Sequence, residues 1–143
     1  MQPQIRNANI DDLNAIYNLV CDLEACEMEK ISFENIFKKN IADPNVHYIV
    51  AQIDKRIVGF ISLHVQYILH HSNPTCELQE LNIVPELRGS GIGGLLMVEA
   101  EKVARGLNLE EIELTTKIHR ERAQTFYKKL GYIHSHNKYV KKL

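Results

Sequence analysis

Residues 88–94 read Arg-Gly-Ser-Gly-Ile-Gly-Gly, an arginine and four glycines packed into seven positions. Glycine costs conformational entropy on folding, so that much backbone freedom needs a use. Downstream, Ile92, Leu95, Leu96, Ala100, Val103 and Leu107 fall on one helical face, with Glu101, Lys102 and Arg105 opposite. The first turn of such a helix exposes unpaired backbone N–H groups and the positive end of its dipole. Gly89, Gly91 and Gly93 leave the approach open, with Ser90 and Ile92 in the same turn and Arg88 adding positive charge at its lip. The chemistry this suits is an anion cradle, of the kind that holds a phosphate or diphosphate.

Two phosphate-binding readings fail. A Walker-type loop needs a lysine and a serine or threonine after its last glycine, but Gly94 is followed by Leu95 and Leu96. Gly89, Gly91 and Gly94 match a dinucleotide fingerprint literally. That fold needs further βα units and an acidic residue ending the second strand, whereas the next strand ends in Thr115-Thr116.

The elements that must position this turn follow from pattern. "QIRNA" reads as a short strand, and Asn9 as a cap for a helix carrying Leu13, Ile16, Tyr17, Val20 and Leu23. Ser32 is expected to cap a second helix through Ala42, ended by "DPN". "VHYIVAQI" and "RIVGFISLHVQYIL" flank Asp54-Lys55 as a hairpin, and "CELQELNIV" is a strand stopped by Pro85. "EEIELTT" reads as a strand, "RERAQTFYKKL" as a helix ending at Gly131, and "YIHSHNKYVKKL" as a last strand. The expected class is α/β, a mixed and largely antiparallel twisted sheet with helices on both faces, as a single domain over 1–143.

Composition narrows the function classes. The 143 residues carry a net charge of -1 with basic residues dispersed, which argues against nucleic acid or an anionic membrane as partner. No apolar run is long enough to span a bilayer, and the first residues lack a secretory pattern. Three cysteines without a C-x-x-C pair fit a reducing, cytoplasmic setting.

The order Arg88-x-x-Gly91-x-Gly93 after a strand and Pro85 resembles the GNAT N-acetyltransferases, as do "IRNANIDDLNAI" at the start and "AQTFYKKLGY" near the end. Arg120 departs from the asparagine many members carry there. The resemblance implies acetyl-CoA as cosubstrate, its diphosphate on the glycine turn and its thioester facing backbone N–H groups freed near Ile83 and Val84 by a kinked strand. Acyl transfer to an amine needs a proton acceptor, an oxyanion donor and a proton for the leaving thiolate. Glu80 is the expected base, with Glu77 as alternate and turned to the other face if the strand is regular. Tyr127 matches the family's thiolate-facing tyrosine.

The stretch 59–89 is similar to the aminoalkylphosphonate N-acetyltransferases in its Leu-His-x-Gln start, its His-His pair and its Gln-Glu-Leu strand. That implies a small amine bearing a phosphonate. His64, His70 and His71 are then candidates to meet the anion or a divalent metal bridging to it. On one regular strand, His64 and His70 would lie about 20 Å apart and His70 and His71 would face oppositely, so the spacing assigns no ligand set. His47, His119, His134 and His136 read as surface or structural groups. Rival acceptors are a polyamine, an aminoglycoside or a peptide N-terminus, for which the acidic stretch "DLEACEME" would line the cleft. A non-catalytic acyl-CoA-binding module is the rival of another class. The final strand offers an edge for pairing in a homodimer.

Overall fold

The computed structural model describes residues 2–143. Chain contacts divide them into two compact units, one ending at Glu113 and the other Leu114–Leu143. In the first, β1 (Gln4–Asn7) is followed by a 3-10 turn at Ile10–Asp12, α1 (Leu13–Glu24) and α2 (Lys30–Ile41). Then come β2 (Val46–Ile53), β3 (Arg56–Tyr67), a 3-10 turn at Leu69–His71, β4 (Pro74–Ile83), α3 (Ile92–Gly106) and β5 (Ile112–Leu114), where the boundary falls. The sheet order is β1-β2-β3-β4-β5, with the first three pairings antiparallel.

Asn9 caps as its type predicts: its side chain accepts from the Asp11 amide at 2.9 Å, and its own amide donates to Asp12 at 2.8 Å. Asp12 is buried and held in a fork by Arg6 of β1 at 2.8 and 3.0 Å, tying the first strand to the helix entry. The start of α2 differs from expectation. Its cap is Glu29, whose carboxylate accepts from the Ser32 amide at 2.6 Å, so Ser32 is already inside the helix. A carboxylate there also meets the helix dipole, which a serine three residues on would not.

The hairpin forms at Asp54-Lys55, with Ile53 paired to Arg56 and Asp54 at φ 53. Cross-strand partners share a face, which separates two layers. Val50 opposite Phe60 packs with Ile16 and Leu19 of α1 and Phe37 of α2. Ala51 opposite Gly59 belongs to the other face, against α3. A Cβ added at Gly59 would lie 2.8 Å from Ile83 Cδ1 and 3.0 Å from Leu96 Cδ1. Glycine at this one strand position lets α3 seat close to the sheet.

The second unit contains α4 (Glu121–Lys129), closed by Gly131 at φ 93. The expected last strand does not form: residues 132–143 have no strand among the described residues, and every side chain from Ile133 onward is exposed. Ile133 and Val140 are separated by a polar run and fall at odd and even positions, so no alternating apolar face exists to be buried. The pairing edge expected for a dimer therefore has no strand to rest on.

Candidate active site

The glycine turn leads into α3 as its residues predict. Gly89 and Gly91 sit at φ 81 and 93, backbone conformations that side-chain-bearing residues rarely adopt. Gly91 is the N-cap, without a side-chain cap, and its carbonyl accepts from Leu95 at 3.2 Å. The amides of Ile92, Gly93 and Gly94 precede that first intrahelical bond and belong to the unpaired set of a helix start. Nothing lies within 4 Å of the position a Cβ would take at Gly91 or Gly94. The turn is open, as an anion cradle must be. Ser90 folds back instead: its hydroxyl donates to the Leu87 carbonyl at 2.5 Å.

Arg88 is not free at the lip. Its guanidinium reaches Asp22 of α1 at 2.5 Å, Asn82 at 3.2 Å and the Ile83 carbonyl at 3.2 Å.

On β4 the register shifts between Ile61 and Leu63 of the partner strand: Ile61 pairs with Leu81, but Leu63 pairs with Leu78. Two residues, Gln79 and Glu80, therefore stand opposite Ser62 in a β-bulge, the kink expected in this strand. The bulge re-aims Glu80. Ser62 Oγ donates to its carboxylate at 2.5 Å and accepts from its amide at 3.0 Å. Glu77 pairs with His64, which is two residues from Ser62 and so on the same face. A regular strand would have placed Glu77 and Glu80 on opposite faces; the extra residue brings them onto one. Gln66 donates to Glu77 at 3.0 Å, and Tyr48, opposite Ser62, completes this polar face. Burial pushes the Tyr48 phenol up, a bond from Asn40 at 2.8 Å opposes that, and the charge of Glu80 adds to the rise.

At the strand end the two N–H groups expected as donors differ. Val84 N–H donates to the Val58 carbonyl at 2.9 Å and is already spent on β3, which corrects the expectation for Val84. In an antiparallel ladder alternate residues bond opposite edges. Ile83, paired with Gly59, thus directs its N–H away from β3, towards the side where only short β5 follows. That strand meets β4 near its start, where the Cys76 amide donates to the Glu111 carbonyl at 3.4 Å.

The three candidate histidines do not converge. His64 lies on the Glu80 face, its ring 6.4 Å from that of Tyr48. His70 and His71 sit in the 3-10 turn, not a strand, with rings 4.4 Å apart, so they do not face oppositely. His71 is taken up by two carboxylates, Nδ1 by Glu111 at 3.3 Å and Nε2 by Glu113 at 3.0 Å. Those three donor groups lie within 4.8 Å of one another, a set neither His64 nor His70 joins.

Tyr127 lies on α4 in the second unit, its ring 5.2 Å from Phe126 and 5.9 Å from Tyr132. Burial pushes its phenol up to about 12, with Arg120 opposing, so the hydroxyl keeps its proton at neutral pH.

Concavities of about 240 and 590 Å³ in the first unit border this region: Tyr48 lines the smaller with Asn7 and His47, and Asp22, Val84 and Pro85 line the larger with Asn18 and Arg56. Sequence reasoning passed over Ser62 and Asn82, and read Asp22 only as part of an acidic stretch lining a cleft. The available signal was polarity out of place: a serine and an asparagine inside apolar strands.

Comparison with known proteins agrees with this geometry. The chain is 41% identical over 140 residues to an aminoalkylphosphonate N-acetyltransferase of Salmonella typhimurium, covering 98% of this chain and 91% of that one. A solved structure described as a transcriptional regulator from Bacillus halodurans superposes with a TM-score of 0.90 at 27% identity, over 99% of both chains. An aminoglycoside 6'-N-acetyltransferase from Acinetobacter baumannii shares the fold, with a TM-score of 0.83 at 18% identity over 99% and 98% of the chains. Residues 12–132 match the acetyltransferase (GNAT) family, and with its glycine turn, bulged strand and near full-length relative this chain belongs to that family of N-acetyltransferases.

Proposed function

We propose that this chain moves the acetyl group of acetyl-CoA onto the primary amine of a small aminoalkylphosphonate, and that residues 1–143 act as one acetyltransferase domain. The observation that carries the reading is the bulge in β4, which puts the Glu80 carboxylate on a polar face in the strand that leads, through the turn at Pro85–Leu87, to an open helix start. The amides of Ile92 and Gly93 hold the diphosphate. Glu80, fixed on one oxygen by Ser62, takes the ammonium proton, directly or through water. The amine nitrogen then bonds to the thioester carbon, and the oxygen that gains charge meets the Ile83 N–H. Collapse breaks the carbon–sulfur bond, the thiolate takes the proton that Tyr127 supplies, and the nitrogen's second proton returns through water to the Tyr127 phenolate, leaving amide, thiol and one proton on Glu80.

The phosphonate acceptor is supported by the full-length relative and by how the acidic stretch is used. Asp22 is paired with Arg88 and Glu29 caps α2, so neither is a spare charge for a polycation. Of the three candidate histidines, we assign the anion to His64 because it shares the Glu80 face. His71, Glu111 and Glu113 fit a divalent cation by donor type and spacing, provided that one ring nitrogen gives up its carboxylate contact. The setting is cytoplasmic: all three cysteines are free thiols, and no described helix is long and apolar enough to cross a membrane.

The test is free-thiol release from acetyl-CoA against a panel of amines, with and without added divalent metal. Release with aminomethyl- or aminoethylphosphonate supports the reading. Release with polyamines or aminoglycosides alone moves the acceptor, and coenzyme A binding without release makes the chain a binding module.

A further inference from the structure

Arg88 is the conspicuous cation beside the cradle, and its guanidinium is held to the protein through Nε and one terminal nitrogen. One terminal nitrogen bonds Asp22 at 2.5 Å and Asn82 Oδ1 at 3.2 Å, while Nε bonds the Ile83 carbonyl at 3.2 Å. Asn82 is buried, and its amide is consumed at both ends: Nδ2 donates to the Leu19 carbonyl at 2.9 Å and to Asp22 at 2.8 Å. Three elements are knotted here: the last turns of α1, the end of β4 and the turn that opens α3.

Asp22 is oddly placed for any other purpose. It lies in the closing turns of α1, where the helix dipole disfavours a carboxylate, and that last turn holds no basic residue. With both partners about 40% exposed, the ion pair adds little to stability. Its effect is geometric. The fork fixes Ile83, whose N–H is directed at the cofactor side, relative to the glycine turn a few residues on.

We propose that Asp22 and Asn82 are positioning residues, and that they hold Arg88 as a strut between α1, the end of β4 and the cofactor turn rather than as a ligand of the diphosphate. This rests on acetyl-CoA occupying the glycine turn. The strut sets the distance from diphosphate to acyl oxygen, and the anion is left to the backbone amides of α3.

Steady-state kinetics on the full chain test it, with acetyl-CoA and with acetyl-pantetheine, which carries the same thioester and no diphosphate. The strut predicts that Arg88→Gln, Asp22→Asn and Asn82→Ala each lower kcat by about tenfold with both thioesters, and that the Arg88→Gln, Asp22→Asn double variant is no worse than either single one. Arg88→Lys stays impaired, because a point charge can meet Asp22 but cannot make the fork to Asn82 and Ile83. Thermal midpoints are read alongside: those of the Arg88 and Asp22 variants stay near that of the parent chain, while Asn82→Ala, which leaves the buried Leu19 carbonyl unpaired, lowers it.

Three outcomes overturn the proposal. They are a raised KM for acetyl-CoA in Arg88→Gln with acetyl-pantetheine untouched, tighter acetyl-CoA binding in Asp22→Asn as the cation is released, and restored activity in Arg88→Lys. A parent chain that releases no thiol from acetyl-CoA at all removes the reading beneath, and is told apart because no variant is then needed.

Discussion

Glu80 and Ser62 form a unit in which a buried hydroxyl both receives from and donates to one residue. Removing the charge while keeping the shape, as in Glu80→Gln, should lower kcat by about a hundredfold with KM for acetyl-CoA nearly unchanged, measured by thiol release. Tyr127→Phe should lower turnover and leave coenzyme A affinity in place; unaltered turnover would remove Tyr127 from the reaction. Asp12 carries a prediction about stability. Burial alone would raise its pKa, but the Arg6 fork and the Asn9 amide outweigh it and leave the carboxyl below its ordinary 3.8. A depressed folded-state pKa contributes stability that is fully present above the unfolded value and lost as pH falls through the folded one. Resistance to denaturant should therefore fall below pH 3.8. Asp12→Ala should lose about 3 kcal/mol at neutral pH and lack that component of the acid slope.

At the scale of elements, the glycine turn, the hairpin and α4 were legible because each has a local cause: glycines needing positive φ, a two-residue turn, a helix-end glycine. The bulge was not. An extra residue in a strand leaves no mark in composition, so Glu77 reads as facing away from Glu80 when it faces the same way. The cap of α2 was misplaced by three residues because a glutamate can cap through a longer reach than serine. The last strand was overread from its β-branched and aromatic residues, since propensity without an alternating face gives a strand nothing to bury. Gly59 is the missed residue with the clearest consequence for α3. Gly59→Ala should push on the tips of Ile83 and Leu96 and cost about 1–2 kcal/mol by chemical denaturation. The same shift at Ile83 should raise KM for acetyl-CoA.

For the molecule, the class and the family motifs could be read before any coordinate, because they recur in order along nearly the whole chain. The detailed wiring could not. The partners of Arg88 on α1 and β4 lie 66 and 6 residues away in sequence. Chain order says which residues neighbour a site, and only long-range packing says which of them are already spoken for. The account stands on the amides that open α3. Backbone NMR of the labelled protein, titrated with coenzyme A and separately with pantetheine, tests them directly. The account predicts large amide shifts at Gly91, Ile92 and Gly93 with coenzyme A that pantetheine fails to reproduce. Saturable coenzyme A binding that leaves those three amides where they were would contradict it.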